Sequence, residues 1–291
     1  MKKLTAIVLA FLLAAPAMAE DVDRTLDAAS DGSVEVSNIA GSISVDGWDR
    51  NEVRVSGTLG RNVEELIFER DGDRITVKVK VPKRGGSGIA SNLRVSVPQG
   101  NSIDVATVSA DIDVTAVQGE QKLEAVSGDI DTEAFEADVR ASTVSGDVSI
   151  KGSGKDTEIS GNTVSGDVTF YRLAGEVSAE SVSGDVGIDE GSFDRAQFNT
   201  VNGDIEFAAT LRPGGRLSAE TVNGGVDLQF EGGVSGRFDV DTFNGDIDNC
   251  FGPKPERTSK YAPGQELSFQ EGDGDARINV STMNGDISIC R

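Results

Sequence analysis

The feature that most constrains this chain is a five-residue motif, apolar-(Ser/Asn)-Gly-Asp-(Ile/Val), which returns about every twenty residues. Clear copies begin at Val126, Val144, Val164, Val182, Val201, Phe243 and Met283. Weaker copies begin at Val108, with Ala110 in place of glycine, and at Val222, with Gly225 in place of aspartate. The aspartate column reads Asp111, Asp129, Asp147, Asp167, Asp185, Asp204, Asp246 and Asp286. Its spacings are 18, 18, 20, 18 and 19, then 21 to Gly225, 21 to Asp246 and 40 to Asp286. Self-similarity at such a period marks a solenoid, in which each repeat is one unit stacked on its neighbours.

The flanks of the motif say what the unit is. Leu217, Ala219 and Thr221 alternate with Ser218 and Glu220 before one copy. After the motif, Val148-x-Ile150, Val168-x-Phe170, Val186-x-Ile188, Ile205-x-Phe207, Val226-x-Leu228 and Ile287-x-Ile289 alternate again. Period-two alternation on both sides of a Ser-Gly or Asn-Gly step predicts strand, turn, strand. The turn glycine is expected there for its freedom to take positive φ. A second, variable turn such as Gly152-Ser153-Gly154 or Pro213-Gly214-Gly215 closes the rung. The expected fold is all-β, a parallel β-helix-like solenoid with rungs of 18 to 21 residues. Residue types also form columns: Ser at 109, 127, 145, 165 and 183, then Asn at 202, 223, 244 and 284, with Thr at 107, 143, 163, 200, 221, 242 and 282. Blocks of like residues favour homotypic stacking between rungs; recent internal duplication would produce the same blocks.

The ends differ from the middle. Residues 1–19 read as a signal peptide: Lys2 and Lys3 precede an apolar run from Leu4 to Ala15, and Ala17-Met18-Ala19 is a small-x-small cleavage site. The mature chain is expected to begin at Glu20 and to be periplasmic or secreted, without a membrane span. Residues 20–100 are expected to form a β-rich N-terminal cap with the first rungs, or alternatively a separate small β-domain. Val34 to Val45 resembles a degenerate rung, Asp73 to Val81 alternates strongly, and Pro82–Asn92 is a basic loop. Residues 101–250 carry the solenoid repeats, and 251–291 a C-terminal rung with a long loop. The formal net charge is −22, or −24 once Lys2 and Lys3 are removed. Such a charge argues against nucleic acid and anionic membranes as partners and also suits plain solubility.

Several motifs together resemble a known family. They are Asn38-x-x-Gly41-Ser42-Ile43-x-Val45-x-Gly47-Trp48, the Val97-Pro98-x-Gly100 step, the Val-Ser-Gly-Asp-Val repeats, and Tyr261-x-Pro263-Gly264 followed by Thr282-x-Asn284-Gly285-Asp286-Ile287. Over nearly the whole mature chain they resemble the bacterial β-strand-repeat family of unknown function often labelled "putative adhesin". The resemblance implies a β-helix-like envelope protein and supplies no catalytic residues.

Cys250 and Cys290 each lie four residues after a motif aspartate. If two full rungs separated them, they would sit about 9.6 Å apart, too far for a disulfide. If 251–282 is one rung carrying a long loop, they lie on adjacent rungs about 4.8 Å apart, within bonding range. No motif copy falls between them, and Gly252-Pro253-Lys254-Pro255 is loop chemistry, so the second arrangement is expected. A disulfide suits an exported chain.

The eight aspartates are either turn formers or a cation-binding edge. Charges 4.8 Å apart repel by about 0.9 kcal/mol in water and about 3.5 kcal/mol at an effective dielectric of 20. The column must therefore be solvated, splayed, bonded to turn amides or neutralised by cations. The short-period Gly-Gly-x-Gly-x-Asp calcium pattern is absent, and the turn role is expected.

The chain contains no histidine, which excludes a histidine triad, histidine metal sites and imidazole acid–base chemistry. No P-loop or dinucleotide fingerprint is present, and no cofactor or metal is implied. A carboxylate pair acting on polysaccharide is the one enzymatic route left, and no pair stands out. The expected function is a non-catalytic scaffold in the bacterial envelope, binding a protein or a glycan. An adhesin-like surface protein is the alternative, and a carboxylate-dependent enzyme the more distant one. The breaks in the repeat, at Pro82–Asn92, Gly225 and 251–282, are the expected places for function.

Overall fold

The computed structural model describes residues 20–83, 86–258 and 263–291. The expected signal peptide at 1–19, part of the basic loop and part of the 251–282 insertion lie outside the described residues. Every regular element described is a strand. The N-terminal strands are β1 (Glu20–Asp27), β2 (Ser33–Trp48), β3 (Glu52–Leu59), β4 (Glu65–Asp71), β5 (Arg74–Lys80) and β6 (Ser91–Pro98). The repeats supply β7 (Ser102–Thr115), β8 (Gln121–Glu124), β9 (Ile130–Ala134), β10 (Val139–Ser142), β11 (Val148–Gly152), β12 (Asp156–Asn162), β13 (Val168–Glu180), β14 (Val186–Asn199), β15 (Ile205–Asn223) and β16 (Val226–Phe230). The C-terminal part adds β17 (Gly236–Asn244), β18 (Ile247–Asn249), β19 (Glu256–Arg257), β20 (Gln265–Glu271), β21 (Ala276–Asn284) and β22 (Ile287–Cys290).

These strands form a solenoid-like fold with two faces that meet at the motif turn. The residues before each motif build the first face. There the N-terminal half of β2 pairs with that of β7, which is followed in parallel by β8, β10, β12 and the C-terminal halves of β13, β14 and β15. The residues after each motif build the second face, through β9, β11 and the N-terminal halves of β13, β14 and β15 to β16. Alternation then fills the interior: Val168 and Phe170, Val186 and Ile188, Ile205 and Phe207 are all buried, and one apolar cluster runs from Val22 to Ile289.

Both ends depart from parallel stacking. At the N-terminal end β5 and β6 extend the two faces beside β2, and antiparallel strands close them: β4 on β5, then β3 on β6 and β1 on β3. At the other end β20 runs antiparallel along β17, with β19 beyond it. Antiparallel covers suit this place, because an open rung would present unpaired N–H and C=O groups.

Spatial order also departs from chain order. β17 does not stack on β15; β21 lies between them, parallel to both. On the second face β22 likewise lies between β16 and β18. The rung formed by 276–290 is thus inserted between the rungs of 216–230 and 236–249. Residues 251–275 are the excursion that makes this possible, and they include β20 rather than loop alone. The insertion places β18 beside β22, and Cys250 is bonded to Cys290 with a Cα–Cα distance of 4.9 Å. Aromatic side chains fill this end of the core. Phe238 stacks on Phe269 with ring centroids 4.4 Å apart and meets Phe230 edge-on at 5.8 Å. Arg291 lies over the ring of Phe251 at 4.9 Å.

Candidate interaction edge

The motif turns stack into one edge along the solenoid, and each residue type in the motif has a separate reason to be there. The glycine is fixed mainly by its neighbour in space. A Cβ at Gly128 would overlap the carbonyl oxygen of Ala110. At Gly146, Gly166, Gly184, Gly203, Gly224, Gly285 and Gly245 it would overlap that of the glycine one rung before. Positive φ, the reason expected from sequence, holds at only three of these, Gly146, Gly166 and Gly184, at 149°, 148° and 153°. Close approach of backbone to backbone is the common requirement.

The aspartates link the rungs. Asp111 Oδ1 accepts the backbone N–H of Asp129, and the same bond runs from Asp147 to Asp129, Asp167 to Asp147, Asp185 to Asp167 and Asp204 to Asp185. These bonds are 2.7–3.1 Å long. The chain of bonds continues to Gly225 N–H at 2.7 Å and stops, because Gly225 has no carboxylate to offer Asp286. It resumes from Asp246 N–H to Asp286 at 2.9 Å. Gln265 closes it: its Nε2 donates to Asp246 Oδ1 at 2.6 Å while its Oε1 accepts from Ile247 N–H at 3.0 Å. None of the eight takes part in an ion pair among the described residues.

The threonine column points inward. Thr143, Thr163, Thr200, Thr221, Thr282 and Thr242 are buried, and each hydroxyl donates to the glycine carbonyl of the rung before it in space, at 2.9–3.1 Å. Ser181 does the same in its rung. On the exposed side Asn223 Nδ2 donates to Asn202 Oδ1, and Asn284 Nδ2 to Asn223 Oδ1, both at 2.9 Å.

The remaining motif residue is the one the sequence reading passed over. Val108, Val126, Val144, Val164, Val182, Val201, Val222, Met283 and Phe243, in spatial order, all project into solvent, from 37% exposed at Val222 to 64% at Phe243. They form one apolar line, one side chain per rung. Parity in the sequence carried the signal: Leu217, Ala219 and Thr221 share the inward side, so Val222 must face out.

The breaks in the repeat are occupied differently. The described end of the segment between β5 and β6 meets the turn after β3, with Asn62 N–H bonded to Gly88 O at 2.9 Å and Gly60 N–H to Ser91 Oγ at 3.1 Å. Gly225 lies in a shallow concavity with Asp204, Glu206, Asp227, Asp248 and Asp286. Another concavity, of about 330 Å³, opens over Gly187 and is lined by Asp167, Asp185, Asp189 and Glu206. Among the described residues no three His, Cys, Asp or Glu side chains are arranged to hold a metal ion.

Carboxylate crowding marks both faces beside the edge. Partial burial, with Asp131, Asp46 and Glu133 nearby, raises the carboxyl of Asp113 above its ordinary value. Partial burial with Glu220 and Glu266 raises that of Asp241. The Arg212 guanidinium, bonded to Asp156 at 2.6 Å, lowers the carboxyl of Asp156.

No curated protein matches the chain. A "putative lipid binding protein" from Parabacteroides distasonis is similar in structure over 92% of this chain and 96% of its own, at 12% identity and a TM-score of 0.44. A "putative adhesin" from Bacteroides fragilis covers 92% of this chain and 96% of its own at 9% identity and a TM-score of 0.37. A "putative cell adhesion protein" from Clostridium sporogenes covers 93% and 99% at 9% identity and a TM-score of 0.25. The sequence model of one family, described as Toastrack DUF4097, matches residues 24–177 and again 172–290. The chain belongs to the Toastrack DUF4097 family.

Proposed function

We propose that this protein is a non-catalytic scaffold of the bacterial cell envelope, exported by a leader that is removed before Glu20, and that it binds a macromolecular partner along the motif edge. The observation that carries this reading is the line of nine exposed apolar side chains. Single exposed apolar residues are ordinary on a protein surface, whereas a contiguous strip repeated rung after rung is the mark of an interaction site. The edge is also rigid. Ser127, Ser145, Ser165, Ser183, Asn202 and Asn223 each donate a backbone N–H to the carbonyl of the apolar residue one rung before, so binding orders little backbone. The aspartate ladder serves the fold in this reading, by accepting turn amides. The disulfide suits an oxidising compartment outside the cytoplasm.

A photo-crosslinking residue placed at Val164 tests this in the native envelope. A discrete protein adduct that disappears when Val144 and Val182 are changed to Ser supports the edge. Adducts formed only from positions on the two faces would remove it. Fractionation in the same cells separates a periplasmic scaffold from the adhesin-like alternative, which requires exposure at the cell surface.

A further inference from the structure

We infer that the segment seated on this edge is a cationic amphipathic α-helix contributed by another polypeptide. The inference rests on the edge being the binding surface and adds the chemistry of its occupant. Three observations carry it: charge, period and length.

The strip from two residues before each exposed apolar side chain to three residues after it contains no Lys or Arg in any of the nine rungs. It does contain the eight column aspartates together with Glu124, Glu180, Glu220 and Asp241. Only Glu124 among these twelve has an ion-pair partner among the described residues, Lys122 at 3.0 Å. The apolar line is therefore flanked on one side by the eight aspartates and on the other by Glu124, Glu180, Glu220 and Asp241, eleven of the twelve without an ion-pair partner among the described residues. A second copy of the chain would match the rung spacing, yet a two-fold axis across the edge would set the aspartate column against itself, and one along the edge would set it against a flank that carries Glu124, Glu180, Glu220 and Asp241 and no Lys or Arg. An apolar partner flanked by Lys or Arg meets the same surface with complementary charge, and charges of opposite sign steer its approach.

The period selects the backbone. Rungs recur about every 4.8 Å. A strand lying along the axis would present same-face residues every 6.6–6.8 Å, out of step within two rungs. An α-helix turns once per 5.4 Å, so its apolar stripe drifts by about one rung over the whole edge. Eight intervals at that rung spacing make about 38 Å, which a helix of about 25 residues spans. The larger side chains, Met283 and Phe243, sit together at one end and supply the anchor; large anchors carry much of the energy in such interfaces.

The test uses the intact protein and three labelled 25-residue peptides: Leu and Lys in an amphipathic helical pattern, the same composition scrambled, and Leu with Glu in the helical pattern. Anisotropy titration is expected to show the patterned Leu/Lys peptide binding at least about tenfold more tightly than the scrambled one, with affinity falling as salt rises. The triple change Val144→Ser, Val164→Ser and Val182→Ser is expected to weaken it about tenfold or more. Asp147→Asn, Asp167→Asn and Asp185→Asn keep the amide acceptor and remove charge, so they should weaken binding and flatten its salt dependence while leaving circular dichroism unchanged. Equal binding of the scrambled peptide reduces the effect to charge adsorption and overturns the helix. Equal binding of the Leu/Glu peptide overturns the cationic partner, as does failure of every peptide to bind. Self-association lost in the triple Val variant would replace the helix with a second copy. In each of these cases the crosslinking experiment reports separately on whether the edge binds at all.

Discussion

Asp113 shows how the strong negative charge acts at the level of a single side chain. It stands on the second face beside Asp131, Asp46 and Glu133, and partial desolvation with these neighbours raises its carboxyl above the ordinary value. The folded state therefore holds the proton more tightly than the unfolded chain, so the ionised carboxylate costs stability at neutral pH. That cost is fully present above the raised folded value, declines as pH falls through it, and is gone below about 3.9, the unfolded value. Asp113→Asn should therefore melt higher than the parent at pH 7, by a few tenths of a kcal/mol because the site is solvent-screened, or about 1 °C. The gain should hold as pH falls from 7 until the raised folded value is reached, and then disappear as pH drops to the ordinary carboxylate value. Calorimetry at a series of pH values checks this, and an equal or lower melting temperature at pH 7 would remove the repulsion argument. Much of the residue scale was legible beforehand: the aspartate column, the threonine column and the asparagine block are all visible as letters in register. What stayed hidden was direction. The identity of the glycine does not reveal that its steric constraint lies in another rung, and calling the motif's first residue apolar obscured that Val144 or Phe243 faces water.

At the scale of the element, a turn such as that at Val144 is held by three kinds of bond to the rung before: aspartate to amide, threonine hydroxyl to glycine carbonyl, and backbone to backbone. The glycine lets the two backbones come close enough for all three. Gly203→Ala should therefore push one rung off the next and cost more than about 2 kcal/mol, in the range of overpacked sites. Gly187 in β14 provides the internal comparison, since a Cβ there meets nothing within 4 Å. Gly187→Ala should be neutral or stabilising by about 0.4–1 kcal/mol, through the unfolded chain alone. Denaturant unfolding of the two variants decides between them, and equal effects would sink the close-approach account. Strand alternation made the faces readable from sequence, because period two is a local property. The antiparallel covers β4, β20 and β1 were not readable as such, because pairing direction depends on where a neighbour lies rather than on the strand's own letters.

For the whole molecule, the inserted rung is the feature with the widest effect. In an ordinary repeat array each unit rests on the one made just before it, and stability sums over nearest neighbours in chain order. Here β17 and β18 rest on β21 and β22. Removing 276–291 should leave the rungs up to β16 resistant to protease while 236–275 is cleaved. Mass spectrometry of the fragments checks this, and a protected 236–250 would mean that β17 can settle directly on β15. Sequence spacing showed that 40 residues separate Asp246 from Asp286, but spacing counts residues along the chain and carries no information about which rung lies between which. The arrangement also bears on how the protein is made. A chain emerging amino end first can lay down its rungs as they arrive only as far as β16. Residues 236–250 can gain β20 along one edge, but the other edge has no native partner until a later stretch slides in beside it. Assembly ends by closing a gap from within, and during that interval the molecule has an unfilled slot with the period of its own rungs.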